Sequence, residues 1–396
     1  MKRVCVVTST RADYGLLSPL IRRLSQAENL ELCLAVTGTH LSEEYGYTIQ
    51  EIEKDGYSIH SRIPILTMGK TGVSVPETMA NAIRQFGDYF HSNPMDMLVV
   101  LGDRYEICAV CMAAVNAQIP IAHIHGGETT EGAMDECFRH SITKMSYLHF
   151  TANAVYRRRV IQLGEAPERV FDVGALGVEN ALGLDALTPE QFKVETGFDP
   201  CEKPYGIVTF HPVTLEEQTA EKQLEELLAV LAERQDMKFL ITKSNADAGG
   251  TAINAALDRF VLQNPHCKVV TSLGMKRYLS ALKYACCVVG NSSSGILEAP
   301  SFGIPTVNIG DRQRGRMQAE SIINCLPVRE DIAKALEQAV SPDFQKKAGE
   351  ASNPYGHGET SRLICEKIED FLCNGKINLK KTFFDLNFEV SEPRLM

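Results

Sequence analysis

The chain alternates short apolar runs with longer amphipathic segments along most of its length. The apolar runs predict strands at residues 3–8, 30–36, 95–101, 119–124 and 146–151. Between these runs, apolar positions recur at helical spacing and predict helices near residues 14–27, 75–92, 104–117, 132–145 and 152–164. Strands that alternate with helices in this way predict a parallel sheet covered by helices on both faces.

The same alternation starts again after residue 204. Strands are predicted near residues 206–210, 238–242, 267–271, 286–289 and 304–308. Helices are predicted near residues 216–235, 251–264, 275–284, 293–302 and 359–373. The Gly-, Pro- and acid-containing segment from 174 to 204 breaks the alternation and is predicted to be the crossing between two domains.

We therefore expect an α/β protein made of two doubly wound Rossmann-type domains with a cleft between them. The first domain is predicted over residues 1–180 and includes the helix at 359–373, and the second over 181–358. Residues 376–396 form a tail that is too short for a domain and is expected to pack on the surface or to fray.

Composition narrows the class of protein. Of 396 residues, 44% are hydrophobic and 23% are charged, as in soluble globular proteins. No apolar run is long enough for a signal peptide or a membrane span. The net charge of −10, without a long basic block, argues against nucleic acid or an anionic membrane as a partner.

Twelve cysteines are scattered through apolar segments, which fits a reducing cytoplasm. Cys108 and Cys111 have CxxC spacing, but they fall inside a predicted helix without a second pair, so a place in the core is favoured. His123, His125, Glu128 and Asp135 are close in sequence, yet no HExxH-like pattern accompanies them, and we expect no metal and no cofactor.

Polar residues collect where predicted strands end. Asp103 and Arg104 follow one strand, His125-Gly-Gly follows the next, and His211 follows the first strand of the second half. Ligands bind beyond the carboxyl ends of the strands in such sheets, so these residues are candidates for chemistry. The alternatives are a helix-capping role for Asp103 and a structural role for His125.

A helix near residues 132–145 adds two candidates. Asp135 and Arg139 are four residues apart and share a helix face. A surface ion pair is the alternative, and we disfavour it because Met134, Cys137 and Phe138 make this helix largely apolar. By contrast, the arginine run 157–159 is predicted to be a solvated helix face.

The segment from 288 to 310 predicts an anion site. Gly290 and Asn291 end a strand, and Ser292, Ser293, Ser294 and Gly295 lead into a helix. Small residues at a strand-to-helix turn let backbone N–H groups approach a phosphate. Glu298, one turn further on, is within reach of a sugar hydroxyl; an ordinary capped corner is the alternative.

Taken together, these segments resemble the hydrolysing UDP-N-acetylglucosamine 2-epimerases of sialic-acid-type pathways. The resemblance covers roughly residues 1–373 and rests on the segments TRADYG (10–15), GDR (102–104), 123–140, FHPVT (210–214) and GNSSSG (290–295). It implies a GT-B-like pair of domains, with the nucleotide held mainly by the second. Relatives also suggest a homodimer or homotetramer.

The resemblance implies roles for individual residues. Asp103, Asp135, Arg139 and His211 match catalytic positions. Nucleotide-sugar positions are matched by Arg11, Arg104, Asn245, Ser292, Ser293, Glu298 and Arg312. Many relatives carry a glutamate where this chain has His125, which leaves open the division of acid and base roles among Asp103, His125 and Asp135.

The implied reaction is elimination of UDP from UDP-N-acetylglucosamine, followed by addition of water with inversion at C2 to give N-acetylmannosamine. The same chemistry on a UDP- or GDP-linked 2,4-diacetamido-2,4,6-trideoxyhexose, for legionaminic acid synthesis, is an alternative. Non-hydrolysing epimerisation, glycosyl transfer, and nucleotide-sugar binding without catalysis also stay open.

Overall fold

The computed structural model describes residues 1–69, 72–130, 134–211, 220–243, 250–356, 358–375 and 377–387. It divides into two compact units. Unit 1 comprises Met1–Glu128, Cys137–Val173 and Ser361–Met396, and unit 2 comprises Thr129–Glu136 and Gly174–Thr360.

Unit 1 is built on a seven-stranded sheet with the order β3-β2-β1-β6-β7-β8-β9, in which all the pairs are parallel. The strands are β1 (Lys2–Thr8), β2 (Leu30–Thr37), β3 (Ile59–Ile63), β6 (Met97–Leu101), β7 (Ile121–Ile124), β8 (Leu148–Thr151) and β9 (Val170–Asp172), with a separate antiparallel hairpin of β4 (Met68–Gly69) and β5 (Gly72–Val73). The helices are α1 (Arg11–Gln26), α2 (Ile49–Lys54), α3 (Val75–Ser92), α4 (Tyr105–Asn116), α5 (Asp135–Met145), which belongs to unit 1 from Cys137 onward, and α6 (Ala154–Gln162). Short 3₁₀ turns lie at Gly38–Leu41, Glu43–Tyr45 and Pro167–Arg169.

Unit 2 is built on a six-stranded parallel sheet with the order β12-β11-β10-β13-β14-β15. Its strands are β10 (Tyr205–Thr209), β11 (Lys238–Thr242), β12 (Cys267–Val270), β13 (Cys287–Gly290), β14 (Thr306–Ile309) and β15 (Ile322–Cys325). Its helices are α7 (Leu176–Leu182), α8 (Pro189–Thr196), α9 (Ala220–Glu233), α10 (Gly250–Gln263), α11 (Gly274–Tyr284), α12 (Ser294–Leu297), α13 (Arg329–Val340) and α14 (Pro342–Glu350), with a 3₁₀ turn at Ala299–Phe302. Helix α15 (Thr360–Glu369) and the π-helical turn Asp370–Asn374 carry the chain back to unit 1.

These two sheets with interleaved helices confirm the predicted α/β class. All ten predicted strands are present, with ends shifted by up to two residues. The central strands are buried on both faces; β6, for example, is buried at every position. Continuous burial explains why an unbroken apolar run identified them.

Two local predictions were wrong. The crossing segment 174–204 contains the helices α7 and α8, although no helix was predicted there. The single helix predicted over 293–302 is divided into the four-residue α12 and the 3₁₀ turn at Ala299–Phe302. Pro300 lacks a backbone N–H and therefore cannot continue the α-helical hydrogen bonds.

The core interpretation of the cysteines is confirmed for Cys108 and Cys111. Both are buried on α4 in the hydrophobic core of unit 1, and both are free thiols. Burial raises the pKa of each thiol, so neither is activated as a nucleophile.

Candidate functional site

Asp103 lies just beyond the carboxyl end of β6 and forms an ion pair with Arg139 of α5. Arg139 is only 1% exposed, and it also donates to the carbonyl oxygen of Glu128 at 3.2 Å. A buried guanidinium needs such partners, because an uncompensated charge away from water is costly. Asp103 itself retains 28% side-chain exposure, so a carboxylate held by a buried cation is still accessible from outside.

His123 of β7 links the backbone next to Asp103 to the helix that carries Arg139. Its Nε2 lies 2.8 Å from the carbonyl oxygen of Gly102, and its Nδ1 lies 3.2 Å from the hydroxyl of Thr143. Thr143 in turn donates to the carbonyl oxygen of Arg139 at 3.0 Å. Burial lowers the pKa of His123 to about 3, so the ring is neutral at physiological pH and acts as a structural link.

His125 is the first residue beyond β7 and has a left-handed backbone with φ of 67°. Its N–H donates to the carbonyl oxygen of Phe150 at 2.8 Å, and its Nδ1 lies 3.3 Å from Oε1 of Glu128. A histidine in this conformation is uncommon, and such residues concentrate at functional sites.

The loop that follows His125 is tightly confined. Gly127 has φ of 76°, and a Cβ at this position would lie 2.5 Å from the carbonyl oxygen of Tyr156. Arg159 donates to the carbonyl oxygen of Gly127 at 2.7 Å. The prediction of a solvated arginine run was thus wrong for Arg159, and also for Arg157, which donates to the carbonyl oxygens of Val170 and Pro167.

Asp135 begins α5 and is half-buried. The argument that its helix is largely apolar was wrong at two positions, because Met134 is 73% exposed and Cys137 is also exposed. The buried face of the helix instead carries Arg139 together with Ile142 and Thr143.

The loop after β1 forms a second polar group in unit 1. Asp13 accepts from the backbone N–H groups of Ser9 and Thr10 at 3.0 and 3.1 Å, and it caps α1 through a reciprocal capping box with Thr10. The hydroxyl of Ser9 lies 3.0 Å from Glu106, which is buried and forms an ion pair with Arg104. Arg104 is thereby held at the end of β6.

Sequence reasoning missed Asp13 and Glu106. Their signal was an acid in the first turn of a helix directly after a strand end, in one case inside an otherwise apolar helix. Arg11, the other predicted ligand of this loop, has a half-exposed side chain 3.9 Å from Glu51.

In unit 2, Asn291 brings together two predicted site residues. Its side chain accepts from the N–H of His211 at 2.7 Å and donates to the carbonyl oxygen of His211 at 2.8 Å. Its own carbonyl oxygen accepts from Arg312 at 3.1 Å and from Gln313 at 2.8 Å. The segments that follow β10, β13 and β14 are thus joined by hydrogen bonds at the carboxyl ends of these strands.

The serine turn after β13 depends on close backbone approach. Gly290 has φ of 134°, and a Cβ there would lie 2.0 Å from the carbonyl oxygen of Thr209. A Cβ on Gly295 would lie 2.7 Å from the side chain of Thr306. These contacts fix Ser292, Ser293 and Ser294, which are all half-buried, at the start of α12.

Glu298 follows α12 and donates its N–H to the carbonyl oxygen of Ser294 at 3.0 Å. Burial raises the pKa of the Tyr278 phenol, which faces Ser294 and Glu298 and was not identified from the sequence. Beside Asn291, unit 2 also has a cavity of about 460 Å³ whose lining includes Gly310 and Asp311.

Asn245 lies outside the described residues. Within the ranges that the structure describes, no group of three or more His, Cys, Asp or Glu side chains is arranged to hold a metal ion. In the same part of the chain, no helix has the length and apolar character needed to span a bilayer.

Comparison with known proteins gives matches along nearly the whole chain. The family model described as UDP-N-acetylglucosamine 2-epimerase matches residues 22–369. Polysialic acid biosynthesis protein P7 of Escherichia coli is 38% identical over 387 residues, covering 98% of each chain. GDP/UDP-N,N'-diacetylbacillosamine 2-epimerase (hydrolyzing) of Campylobacter jejuni is 38% identical over 348 residues, covering 87% of this chain and 89% of its own.

A solved structure agrees in fold. UDP-GlcNAc 2-epimerase of Neisseria meningitidis, bound to UDP-GlcNAc, matches with a TM-score of 0.80 at 18% identity, covering 93% of this chain and 99% of its own.

Proposed function

This chain belongs to the UDP-N-acetylglucosamine 2-epimerase family, and from that premise we propose that it is a hydrolysing 2-epimerase that converts UDP-N-acetylglucosamine to UDP and N-acetylmannosamine. The product would feed the synthesis of nonulosonic acids of the sialic acid type. The name of the Escherichia coli relative, a polysialic acid biosynthesis protein, supports this assignment.

The proposed reaction has two halves. In the first, a base removes the proton at C2, the C1–O bond breaks, and UDP leaves with the electron pair, which gives a C1=C2 glycal. In the second, water adds its oxygen to C1 and a proton reaches C2 from the opposite face. The free sugar therefore has the inverted configuration at C2.

One observation carries the proposal: Asp103 and His125 follow adjacent strand ends and each has a buried charged partner. Leu101 and Ile124 pair in the parallel ladder of β6 and β7, and these two strands end there. Asp103 is bound to Arg139, and His125 lies beside Glu128. Inversion at one carbon requires one group that removes a proton and another that delivers a proton to the opposite face.

Nucleotide binding is assigned to unit 2. The serine turn after β13 offers small residues and hydroxyl groups, and Arg312 is fixed beside it through the carbonyl oxygen of Asn291. Positive charge and N–H donors at this position would stabilise the charge that develops on UDP as it leaves. Glu298 is proposed to bind a ribose hydroxyl, and His211 to contact a phosphate.

A second candidate substrate is a nucleotide-linked 2,4-diacetamido-2,4,6-trideoxyglucose. It is favoured by the Campylobacter jejuni relative, whose identity of 38% equals that of the Escherichia coli relative. UDP release from purified protein, measured with UDP-N-acetylglucosamine and with the UDP- and GDP-linked diacetamido sugars, separates the candidates. The preferred substrate will have the highest kcat/KM.

The catalytic assignment is tested with Asp103→Asn. This change keeps an acceptor oxygen for Arg139 but removes the base, so turnover should fall by about 100-fold or more. UDP binding, measured by calorimetry, should stay close to wild type because the nucleotide is assigned to unit 2. Full activity in this variant would contradict the assignment of Asp103 as a base.

A further inference from the structure

The C-terminal segment of the chain meets the carboxyl end of α5, the helix that carries Arg139. Residues 378–384 form what we call the C-terminal strap. Its Lys381 donates from Nζ to the carbonyl oxygen of Lys144, in the last turn of the helix, at 2.9 Å, and to that of Ser146, just past the helix end, at 2.6 Å. The last carbonyl groups of a helix lack N–H partners within it, so a cation there stabilises the helix end. Lys381 therefore caps α5 from the far end of the chain.

The strap is seated against the loop that follows α6. The N–H of Phe384 donates to the carbonyl oxygen of Gly164 at 2.9 Å. A Cβ on Gly164 would overlap the ring of Phe383, so this ring lies directly on the glycine backbone. At the other end of the strap, the N–H of Asn378 donates to the hydroxyl of Tyr147 at 3.3 Å. Contacts on both sides of the lysine thus fix its place on the helix end.

A buried acid joins the strap to α5. Glu165 is fully buried, and its Oε1 accepts from Lys144 at 2.6 Å and from Lys381 at 3.0 Å. Its Oε2 faces Nε2 of His149, which is also fully buried, at 3.0 Å. A buried carboxylate is costly without charged or hydrogen-bonding partners. Displacing the strap would remove one of these partners, so the carboxylate holds the strap and the helix end together.

The same helix holds the candidate proton-transfer residue Asp103 by two routes. Arg139 forms an ion pair with Asp103 directly. The hydroxyl of Thr143 donates to the carbonyl oxygen of Arg139 at 3.0 Å and lies 3.2 Å from Nδ1 of His123. Nε2 of His123 lies 2.8 Å from the carbonyl oxygen of Gly102, the residue before Asp103. A displacement of the capped helix end would therefore reach the Asp103 carboxylate through contiguous contacts.

The strap itself is remote from the reacting groups. Lys144 and Ser146, whose carbonyl groups it binds, come just before the amino end of β8, whereas Asp103 follows the carboxyl end of β6. The strands β6, β7 and β8 are parallel neighbours, so these positions lie at opposite edges of the sheet. Lys381 can therefore influence the reaction only through the helix that it caps.

Resting on the proposed function, we propose that Lys381 is a positioning residue for the reaction: it holds the carboxyl end of α5 and thereby sets the place of the Asp103 carboxylate that removes the C2 proton. A misplacement of about 1 Å in a reacting group can lower a rate by about 100-fold. The loss of one cap, with the rest of the strap in place, should displace the helix end by less than this. The expected loss of turnover is about 10-fold.

The first test removes the cap. Lys381→Met should lower kcat for UDP release about 10-fold, while KM and the Kd for UDP stay within about 2-fold of wild type because the nucleotide is assigned to unit 2. Lys381→Arg keeps the charge and should restore most of the loss. The assays use the nucleotide sugar that the wild type consumes, at a temperature at which circular dichroism shows every variant folded.

Two matched controls separate positioning from general stability. Lys380→Met changes an exposed neighbour in the strap. Gly56→Ala strains a backbone with φ of 82° at a position where the added Cβ meets nothing within 4 Å, so it lowers stability without touching α5. Both controls should keep the wild-type kcat. An unchanged kcat in Lys381→Met, or an equal loss in Gly56→Ala, would overturn the proposal.

The second test asks whether Lys381 acts through Asp103. In the Asp103→Asn background the base is already absent, so adding Lys381→Met should lower the residual turnover by less than about 2-fold. The two changes are thus expected to be strongly non-additive in turnover. A full 10-fold loss in both backgrounds would refute the route from the strap to Asp103.

The third test needs no activity. Nitrogen NMR of the full-length protein labelled with ¹⁵N-arginine, with Arg139→Lys used to assign the side-chain signal, should show that Arg139 shifts in Lys381→Met and stays near wild type in Lys380→Met. An Arg139 signal that is indifferent to Lys381→Met would overturn the positioning role. If the wild type consumes none of the nucleotide sugars, the proposed function fails, while this measurement still decides whether the strap positions Arg139.

Discussion

A single buried guanidinium organises the candidate proton-transfer residues of unit 1. Arg139 binds the Asp103 carboxylate and the backbone carbonyl of Glu128. The hydroxyl of Thr143 lies between the carbonyl oxygen of Arg139 and Nδ1 of His123. At the scale of single residues, charge pairing determines which substitutions destabilise the fold, because removing the partner of a buried charged side chain leaves that charge unsatisfied.

The ion pair predicts an order of stability among Asp103 variants. Asp103→Asn keeps an acceptor and should lower the free energy of unfolding by about 1 kcal/mol. Asp103→Ala leaves Arg139 buried without a counter-charge and should cost about 3 kcal/mol or more. Urea unfolding measures both, and equal stability of the two variants would argue against the pairing.

His123 predicts a loss of stability in mild acid. Burial lowers its pKa to about 3, whereas the unfolded chain takes up the proton near about 6.5. The neutral ring therefore favours the fold above about pH 6.5, and this contribution is lost as the pH falls toward about 3, by at most about 1.4 kcal/mol per pH unit. The free energy of unfolding, measured with urea between pH 7.5 and 5, should depend less steeply on pH in His123→Asn than in wild type. An identical pH dependence in the two proteins would contradict this prediction.

At the scale of elements, the sequence predicts the buried strands well and the edge strands poorly. The three unpredicted strands of the main sheets, β3, β9 and β15, all lie at sheet edges, and none of them is buried along its whole length. An edge strand lacks the unbroken apolar run that identifies a central one.

The residues of the candidate site likewise separate into those that the sequence indicates and those that only the folded structure reveals. Asp103, His125 and His211 could be chosen as candidates because strand ends are visible in the sequence. Glu106 contacts Ser9 and Asn291 contacts His211 across long stretches of the chain, and Glu128 lies beside His125 through a loop conformation. The residue types are visible in the sequence, but these contacts are not. The left-handed backbone of His125 likewise depends on Phe150 of the neighbouring strand.

The loop after β7 predicts a contrast between two glycines. Gly127 and Gly56 both have positive φ, of 76° and 82°, but a Cβ on Gly127 would meet the carbonyl oxygen of Tyr156 at 2.5 Å while one on Gly56 would meet nothing within 4 Å. Gly56→Ala should therefore lose about 1 kcal/mol of stability and keep its activity.

Gly127→Ala should displace the loop that carries His125 and lower kcat by about 100-fold. Thermal unfolding and UDP release measure the two effects. Equal activity of Gly127→Ala and Gly56→Ala would show that the loop does not position a reacting group.

At the scale of the whole molecule, the end of the chain is tied to unit 1. Lys381 donates to the carbonyl oxygens of Ser146 and Lys144 at 2.6 and 2.9 Å and forms an ion pair with Glu165, which is fully buried. Burial raises the pKa of Glu165, but the hydrogen bonds from His149, Lys144 and Lys381 outweigh it and lower this pKa to about 2. The described part of the tail, residues 377–387, thus packs on the unit that also contains Asp103 and His125.

This anchor predicts that the tail contributes to stability. Lys381→Met should lower the free energy of unfolding by about 1–3 kcal/mol, because three acceptors lose a charged donor. Lys380→Met, which changes an exposed neighbour, is the matched control and should stay within about 0.5 kcal/mol of wild type. Urea unfolding at pH 7 compares them, and a Lys381→Met variant as stable as the control would contradict the anchor.

The most direct test of the central claim is proton NMR of the purified protein with UDP-N-acetylglucosamine in D₂O, without added metal, followed by the UDP- and GDP-linked diacetamido sugars. The account predicts that UDP and a free sugar with inverted C2 and deuterium at C2 appear together. Recovery of an intact C2-inverted nucleotide sugar, a product without deuterium at C2, or no turnover of any of the three substrates would contradict it.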